Sequence, residues 1–247
     1  MMPPAASPDR TSPRFLDAGE AALVVEFGTV VDPAINDRVL ALDAALRDER
    51  PDGFCESVPT YRSLMIHYDP LVLERSRLVA LVETISARAS AVRAPGRIWT
   101  LPCCYDPGFA EDIAEVAEIA GLTVERVAAL HRTAEYRVYM YGFAPGFAYL
   151  GGLPAELAIS RRARPRPPHP QSALLIGGGL AAVATFPMPT GWYVLARTPE
   201  RLFSKSRNPN FLIEGGDSLR FEAIDASTFA NLDRRAAAGE IIARQTR

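Results

Sequence analysis

The sequence predicts an α+β chain: a small N-terminal α/β sandwich followed by an all-β barrel or sandwich. Three observations carry that prediction. Residues 21–89 run in the order β-α-β-β-α, which puts helices on one face of an antiparallel or mixed sheet. Residues 90–96, with Arg93, Pro95 and Gly96, break the pattern as a linker would. Beyond residue 135 the apolar segments are short and separated by turn residues, as in a barrel or sandwich.

The elements follow in order. Residues 21–27 are a short apolar run ending at Gly28, a strand. Asp32 is placed as an N-cap with Pro33 in the first helical turn, and Ile35, Val39, Leu42 and Leu46 follow at helical spacing. Strands are expected over residues 54–59 and 63–68 around Thr60-Tyr61-Arg62. A second helix is expected over 71–89, carrying Leu78, Leu81, Val82 and Ile85. After the linker come a strand from Arg97 and two helices over 111–120 and 124–132. Thr123 is the N-cap of the latter, and Arg126 at its third position leaves the capping box incomplete. Strands are then expected over 136–141, 174–176, 181–186, 192–196 and 218–221. The resulting partition is a disordered tail at 1–14, an α+β domain at 15–92, a β domain at 97–230 and a C-terminal tail or helix at 231–247.

Composition limits the function classes. A chain of 247 residues that is 48% hydrophobic can bury a sizeable core, and a net charge of −2 implies no attraction to nucleic acid or anionic membrane. No apolar run reaches membrane-spanning length, and the first fourteen residues lack a signal-peptide core. Three cysteines argue against a disulfide framework and suit a reducing compartment, so a cytoplasmic protein is expected. No spacing of His, Cys, Asp or Glu suggests a metal site or a covalent cofactor.

The densest signal lies at residues 135–154. Alternation over 136–141 suits a strand, after which four glycines and three aromatics fall within the eleven residues from Gly142 to Gly152. Phe143, Phe147 and Tyr149 on such a loop either pack a barrel corner or wall a concave site. Downstream, Arg161, Arg162, Arg164 and Arg166 are threaded with Pro165, Pro167 and Pro168. Proline stiffening can hold a guanidinium in the fixed geometry that grips a carboxylate or phosphate. His169 is the histidine near this segment and a candidate acid or base, whereas His67 and His131 read as structural. Gly177-Gly178-Gly179 lacks the following lysine and serine of a phosphate loop and reads as a tight turn.

These residues resemble a known family. The 135–154 stretch, Leu23-Val24-Val25-Glu26-Phe27-Gly28, Val58-Pro59-Thr60-Tyr61-Arg62-Ser63-Leu64, Gly191-Trp192 and Ala196-Arg197-Thr198-Pro199 are similar to the family that holds the B-type subunit of 5-oxoprolinase, allophanate hydrolase subunit 1 and the kinase inhibitor KipI. The resemblance implies a carboxyltransferase-type C/D region with a cyclophilin-like β-barrel. It implies ATP-dependent cleavage of 5-oxo-L-proline to L-glutamate with a homologous C-type or KipA-like partner, and an oxoprolinase A-type partner. ATP would be bound by the complex. The alternatives it implies are an allophanate- or urea-carboxylase-like carboxyltransferase component and a KipI-like inhibitor of a sensor histidine kinase. The site residues it implies are Phe143, Phe147, Tyr149, Gly151, Arg162, Arg166, Gly191, Trp192, Arg197 and Thr198, with Arg162 and Arg166 matching Arg-x-x-Pro-Arg and binding an anion. One departure stands out. Where the family reads Gln-Thr-Gly, this chain has Leu180-Ala181-Ala182, which points to a changed ligand or a lost activity.

Overall fold

The computed structural model describes residues 9–88 and 96–246. The chain divides into two compact units, the second beginning at Gly96. The expected linker residues 90–95 and the first eight residues of the expected tail lie outside the described residues.

The first unit is a four-stranded antiparallel sheet in the order β1-β2-β4-β3, with α1 (Pro33–Glu49) and α2 (Arg75–Arg88). The strands are β1 (Asp9–Asp17), β2 (Ala22–Gly28), β3 (Phe54–Pro59) and β4 (Ser63–Tyr68). Alternation in β2 and β4 puts Leu23, Val25, Phe27, Leu64, Ile66 and Tyr68 on the core face, against Val39, Leu42, Leu46 and Leu78 of the helices. The expected cap forms, with the Asp32 carboxylate accepting from the amides of Ala34 and Ile35. Residues 9–14, expected as tail, instead begin β1, where Phe15 pairs opposite Val25. An edge strand needs partners on one side only, so a stretch bearing Pro13 and several charges reads as coil from its side chains.

The second unit closes seven strands into a barrel in the order β10-β8-β9-β7-β6-β11-β5, with β10 returning to pair with β5. These are β5 (Ile98–Cys104), β6 (Tyr136–Tyr141), β7 (Ala148–Gly151), β8 (Ala173–Gly177), β9 (Leu180–Val183), β10 (Tyr193–Arg197) and β11 (Ser218–Ile224). β5 and β11 run parallel, and β12 (Arg244–Thr246) lies along β5. Helices α3 (Ile113–Ala120) and α4 (Val124–Thr133) add Ile113, Val116, Ala117 and Val127 to the barrel core. Thr123 caps α4 through the Arg126 amide. The domain end expected at residue 230 falls inside α5 (Ala226–Ala237), capped by Asp225.

Strands β7 to β10 are covered on both faces. Leu150, Leu174, Ile176, Ala181 and Val183 enter the barrel core, while Ala173, Leu175, Ala182, Ala184 and Val194 form a second apolar layer with Phe147 and Trp192. That second layer is the floor of the candidate site.

His131 is structural, as its sequence position suggests. It is 1% exposed, its Nδ1 lies 2.8 Å from the Tyr105 hydroxyl, and its ring stacks on Phe221. Burial lowers its pKa to about 3. The unfolded chain takes up this proton near pH 6.5 and the folded chain does not. Stability from this group is therefore intact above pH 6.5 and declines by about 1.4 kcal/mol per pH unit as pH falls toward 3. Urea denaturation of His131→Phe and wild type between pH 7.5 and 4.5 should show a shallower acid slope in the variant. Parallel slopes would sink the assignment.

Candidate functional site

The strand β6 ends in the glycine-rich loop, which turns back through bonds from the Phe147 amide to Ala144 O (3.0 Å) and from the Gly142 amide to Phe147 O (3.2 Å). Gly146 has a φ of +73°, and a Cβ there would stand 2.6 Å from the Phe203 Cβ, so only glycine fits. The Thr185 hydroxyl ties the loop to the end of β9 by donating to Pro145 O at 2.7 Å. This fixes an aromatic wall: Phe147 lies 4.9 Å from Tyr149, and Tyr149 lies 6.3 Å from Trp192. Phe143, 76% exposed, stands edge-on to Phe147 at the rim.

The opposite side is a strap of residues 159–170, laid beside residues 188–191. Backbone bonds run from Arg162 to Gly191 O, from Arg166 to Thr190 O and from His169 to Met188 O (2.8, 2.8 and 3.1 Å). Wall and strap enclose a cleft of ≈ 310 Å³, at the small end for a ligand site. A larger hollow in the first unit, ≈ 420 Å³ and bordered by Arg47, Arg50 and Glu56, lacks such a wall.

The arginines divide sharply. Arg162 donates to both Glu115 carboxylate oxygens (2.8 and 2.5 Å), lies 3.0 Å from Asp112 and stacks over Tyr193. Arg166 is paired with Asp112 at 2.5 Å and with Glu111. The expected anion-binding role of these two meets carboxylates already in place at the start of α3. Arg161 sets its guanidinium 4.9 Å over the Trp192 ring at the cleft, with no ion pair among the described residues. Burial raises the Tyr149 pKa and the Arg161 charge opposes that rise. Spacing could not separate these arginines, because the acids that engage Arg162 and Arg166 lie about fifty residues upstream.

His169 is 0% exposed. Its Nδ1 lies 2.9 Å from Pro170 O, so Nδ1 carries the proton and donates, leaving Nε2 a lone pair. Nε2 is buried and has no hydrogen-bond partner among the described residues. Burial lowers the pKa of this imidazole and nearby Arg166 adds to the effect, against the opposing Pro170 carbonyl and Glu111, so the net shift favours the neutral ring.

Phe143, Phe147, Tyr149, Arg162, His169, Gly191 and Trp192 thus border one cleft. Arg166 braces the strap behind it. Three expected site residues lie elsewhere. Gly151 sits under the Tyr139 ring, where a Cβ would approach to 2.5 Å. Arg197 donates to Gln171 O and packs over Phe109 and Phe229. Thr198 is fully buried and accepts from the Glu200 amide. Of the departing triplet, Ala181 faces the barrel core, while Leu180 and Ala182 join the apolar layer under the cleft. The triple glycine closes the β8–β9 hairpin, with Gly178 and Gly179 both at positive φ.

Residues 13–213 match the family described as carboxyltransferase domain, subdomain C and D. The chain belongs to that family. Within the carboxyltransferase C/D family, the B-type subunit of 5-oxoprolinase from Bacillus subtilis (strain 168) is 32% identical over 222 residues, covering 85% of this chain and 92% of that protein. The crystal structure of TTHA0988 superposes with a TM-score of 0.75 at 35% identity, covering 83% of this chain and 40% of that longer one. The Kluyveromyces lactis urea amidolyase matches 98% of this chain and 17% of its own length at a TM-score of 0.77; with 14% identity, that likeness is one of fold. No described helix is long and apolar enough to cross a membrane, and no cluster of metal-ligating side chains occurs among the described residues.

Proposed function

We propose that this chain is the B-type subunit of an ATP-dependent 5-oxoprolinase and that its cleft holds 5-oxo-L-proline. The observation that carries the reading is the match, across most of both chains, to proteins named as the B-type subunit of 5-oxoprolinase, together with a small aromatic cleft bearing a guanidinium that has no ion pair among the described residues. A five-membered lactam with one carboxylate suits a flat aromatic wall and a single cation. Trp192 holds Arg161 in place, so less side-chain freedom is lost when the carboxylate binds. The family departure at Leu180 makes the floor more apolar and leaves polarity to the rim.

ATP does not suit this chain's own residues. The Gly177–Gly179 segment is a hairpin turn without a phosphate-binding lysine, and Arg162 and Arg166 are engaged by carboxylates. Nucleotide chemistry is therefore assigned to homologous C-type and A-type partners, and this chain supplies the binding and orientation of the lactam.

The test is 5-oxoproline-dependent ATP hydrolysis by this chain co-purified with its candidate C-type and A-type partners. Activity should require this chain, and Arg161→Ala should raise KM about tenfold or more, the loss of one charge-assisted contact. Turnover that persists without this chain would refute the reading. A complex that forms but hydrolyses no ATP would redirect it to urea-type carboxyl transfer.

A further inference from the structure

The His169 ring is held by its neighbours yet leaves one acceptor unused. Its amide bonds to Met188 O and its Nδ1–H to Pro170 O, so neither the ring plane nor the tautomer is free to change. Nε2 then holds a lone pair in a buried position on the cleft wall, and nothing among the described residues donates to it. Buried polar atoms are ordinarily paired, and an orphaned one in a cleft is a mark of a ligand contact. A neutral imidazole nitrogen in this state accepts a hydrogen bond and gives none.

We propose that His169 is a specificity-determining residue of the cleft: its Nε2 accepts a hydrogen bond from an amide-type N–H on a small anion whose carboxylate is met by Arg161. This rests on the proposed function for the particular ligand, since a lactam acid carries both groups, and on geometry alone for the ligand class. Arg161 and His169 both belong to the strap and border the same cleft, so one rigid segment would read both ends of the ligand. Nε2 is covered, so the ligand must displace a neighbour. Met188, half-buried, unbranched and lining the same cleft, is a side chain that can repack to admit it. Neutrality of the ring matters here. A protonated His169 would present a second donor to the N–H and lose the contact, and burial, with Arg166, favours the accepting form.

The experiment is calorimetric titration of the full chain, ¹⁵N-labelled at histidine, with 5-oxo-L-proline, its lactone isostere 5-oxotetrahydrofuran-2-carboxylate, and hydantoate, an open-chain ureido acid. There are three histidines, so the His169 resonances are readily assigned. The lactam should bind about tenfold or more tighter than the lactone, which lacks the N–H. The Nε2 resonance should move with the lactam and stay with the lactone. His169→Phe should erase the preference, and Arg161→Ala should weaken both acids alike. Should the phenylalanine variant misfold, the wild-type nitrogen shift still decides. Equal affinity for lactam and lactone, a bound lactam with Nε2 unmoved, or no binding of any of the three acids would overturn the proposal. Lactam-driven turnover in the complex alongside lactone binding of equal strength would sink the His169 role and leave the oxoprolinase reading intact. Hydantoate binding with the His169 signature while 5-oxo-L-proline fails would do the reverse.

Discussion

Glu200→Ala should destabilise the second unit by about 3–5 kcal/mol, the usual loss when one partner of a buried ion pair is removed. Glu200 is fully buried and the Arg207 side chain is 5% exposed, so solvent cannot take over either charge. One carboxylate oxygen accepts from Arg207 Nη1 at 3.1 Å and from the Arg201 amide at 2.8 Å. The other accepts from the amides of Ile242 and Ala243 at 2.8 and 2.7 Å. Alanine would leave a buried guanidinium with only the carbonyls of Arg201 and Pro209, and would orphan the amides that lead into β12. Chemical denaturation of the two proteins measures the difference. The double variant Glu200→Met/Arg207→Met should recover part of the loss, because it removes the stranded charge as well. A loss below about 1 kcal/mol would mean that water reaches the pair, contrary to its burial.

Nothing in the sequence marks Glu200 as special, and the reason is general. Apart from the neighbouring Arg201 amide, its partners lie 7 and about 42 residues away, and only the closed barrel brings them together. What could be read from sequence was what local physics controls. The Asp32 and Thr123 caps, the α1 core positions and the Gly178-Gly179 turn each depend on residues within a few positions. The aromatic loop was legible because glycines and aromatics at that density have few other uses. The β1 edge strand was hidden because its partner row exists only in the folded sheet. The cleft was half legible: its aromatic wall and His169 could be found, but not which of its arginines is left without an acid partner. Arg161 and Arg162 are adjacent and both border the cleft, but the guanidinium of Arg162 is taken up by the acids of α3 while that of Arg161 lies over Trp192. Choosing between them needs the position of Glu111, Asp112 and Glu115 in space. Arg197 and Thr198 lie away from this cleft, and a motif on a strand end does not say which side of the barrel its side chains serve.

Asp112→Ala should lower stability by about 2–3 kcal/mol and weaken 5-oxo-L-proline binding about tenfold, joining the fold to the site. Asp112 occupies the N-cap position of α3 but makes no side-chain cap bond. Its carboxylate turns outward instead, to Arg162 at 3.0 Å, Arg166 at 2.5 Å and the Val194 amide at 2.7 Å. Through one side chain, 11% exposed, the helix start holds both the strap and β10. Glu115 and Glu111 would still engage the two arginines, but at 44% and 33% exposure they are partly screened by water, so the expected loss is smaller than at Glu200. The strap would stay near its place without being fixed there, and Arg161 and His169 would lose their shared geometry. Asp112→Asn separates the two effects: its amide oxygen can still accept from Val194, but it cannot neutralise two guanidiniums. It should fold more stably than the alanine variant and still bind the lactam weakly. If Asp112→Asn bound as wild type does, the carboxylate cluster would be bracing the barrel alone, and the strap would owe its position to the backbone bonds with residues 188–191.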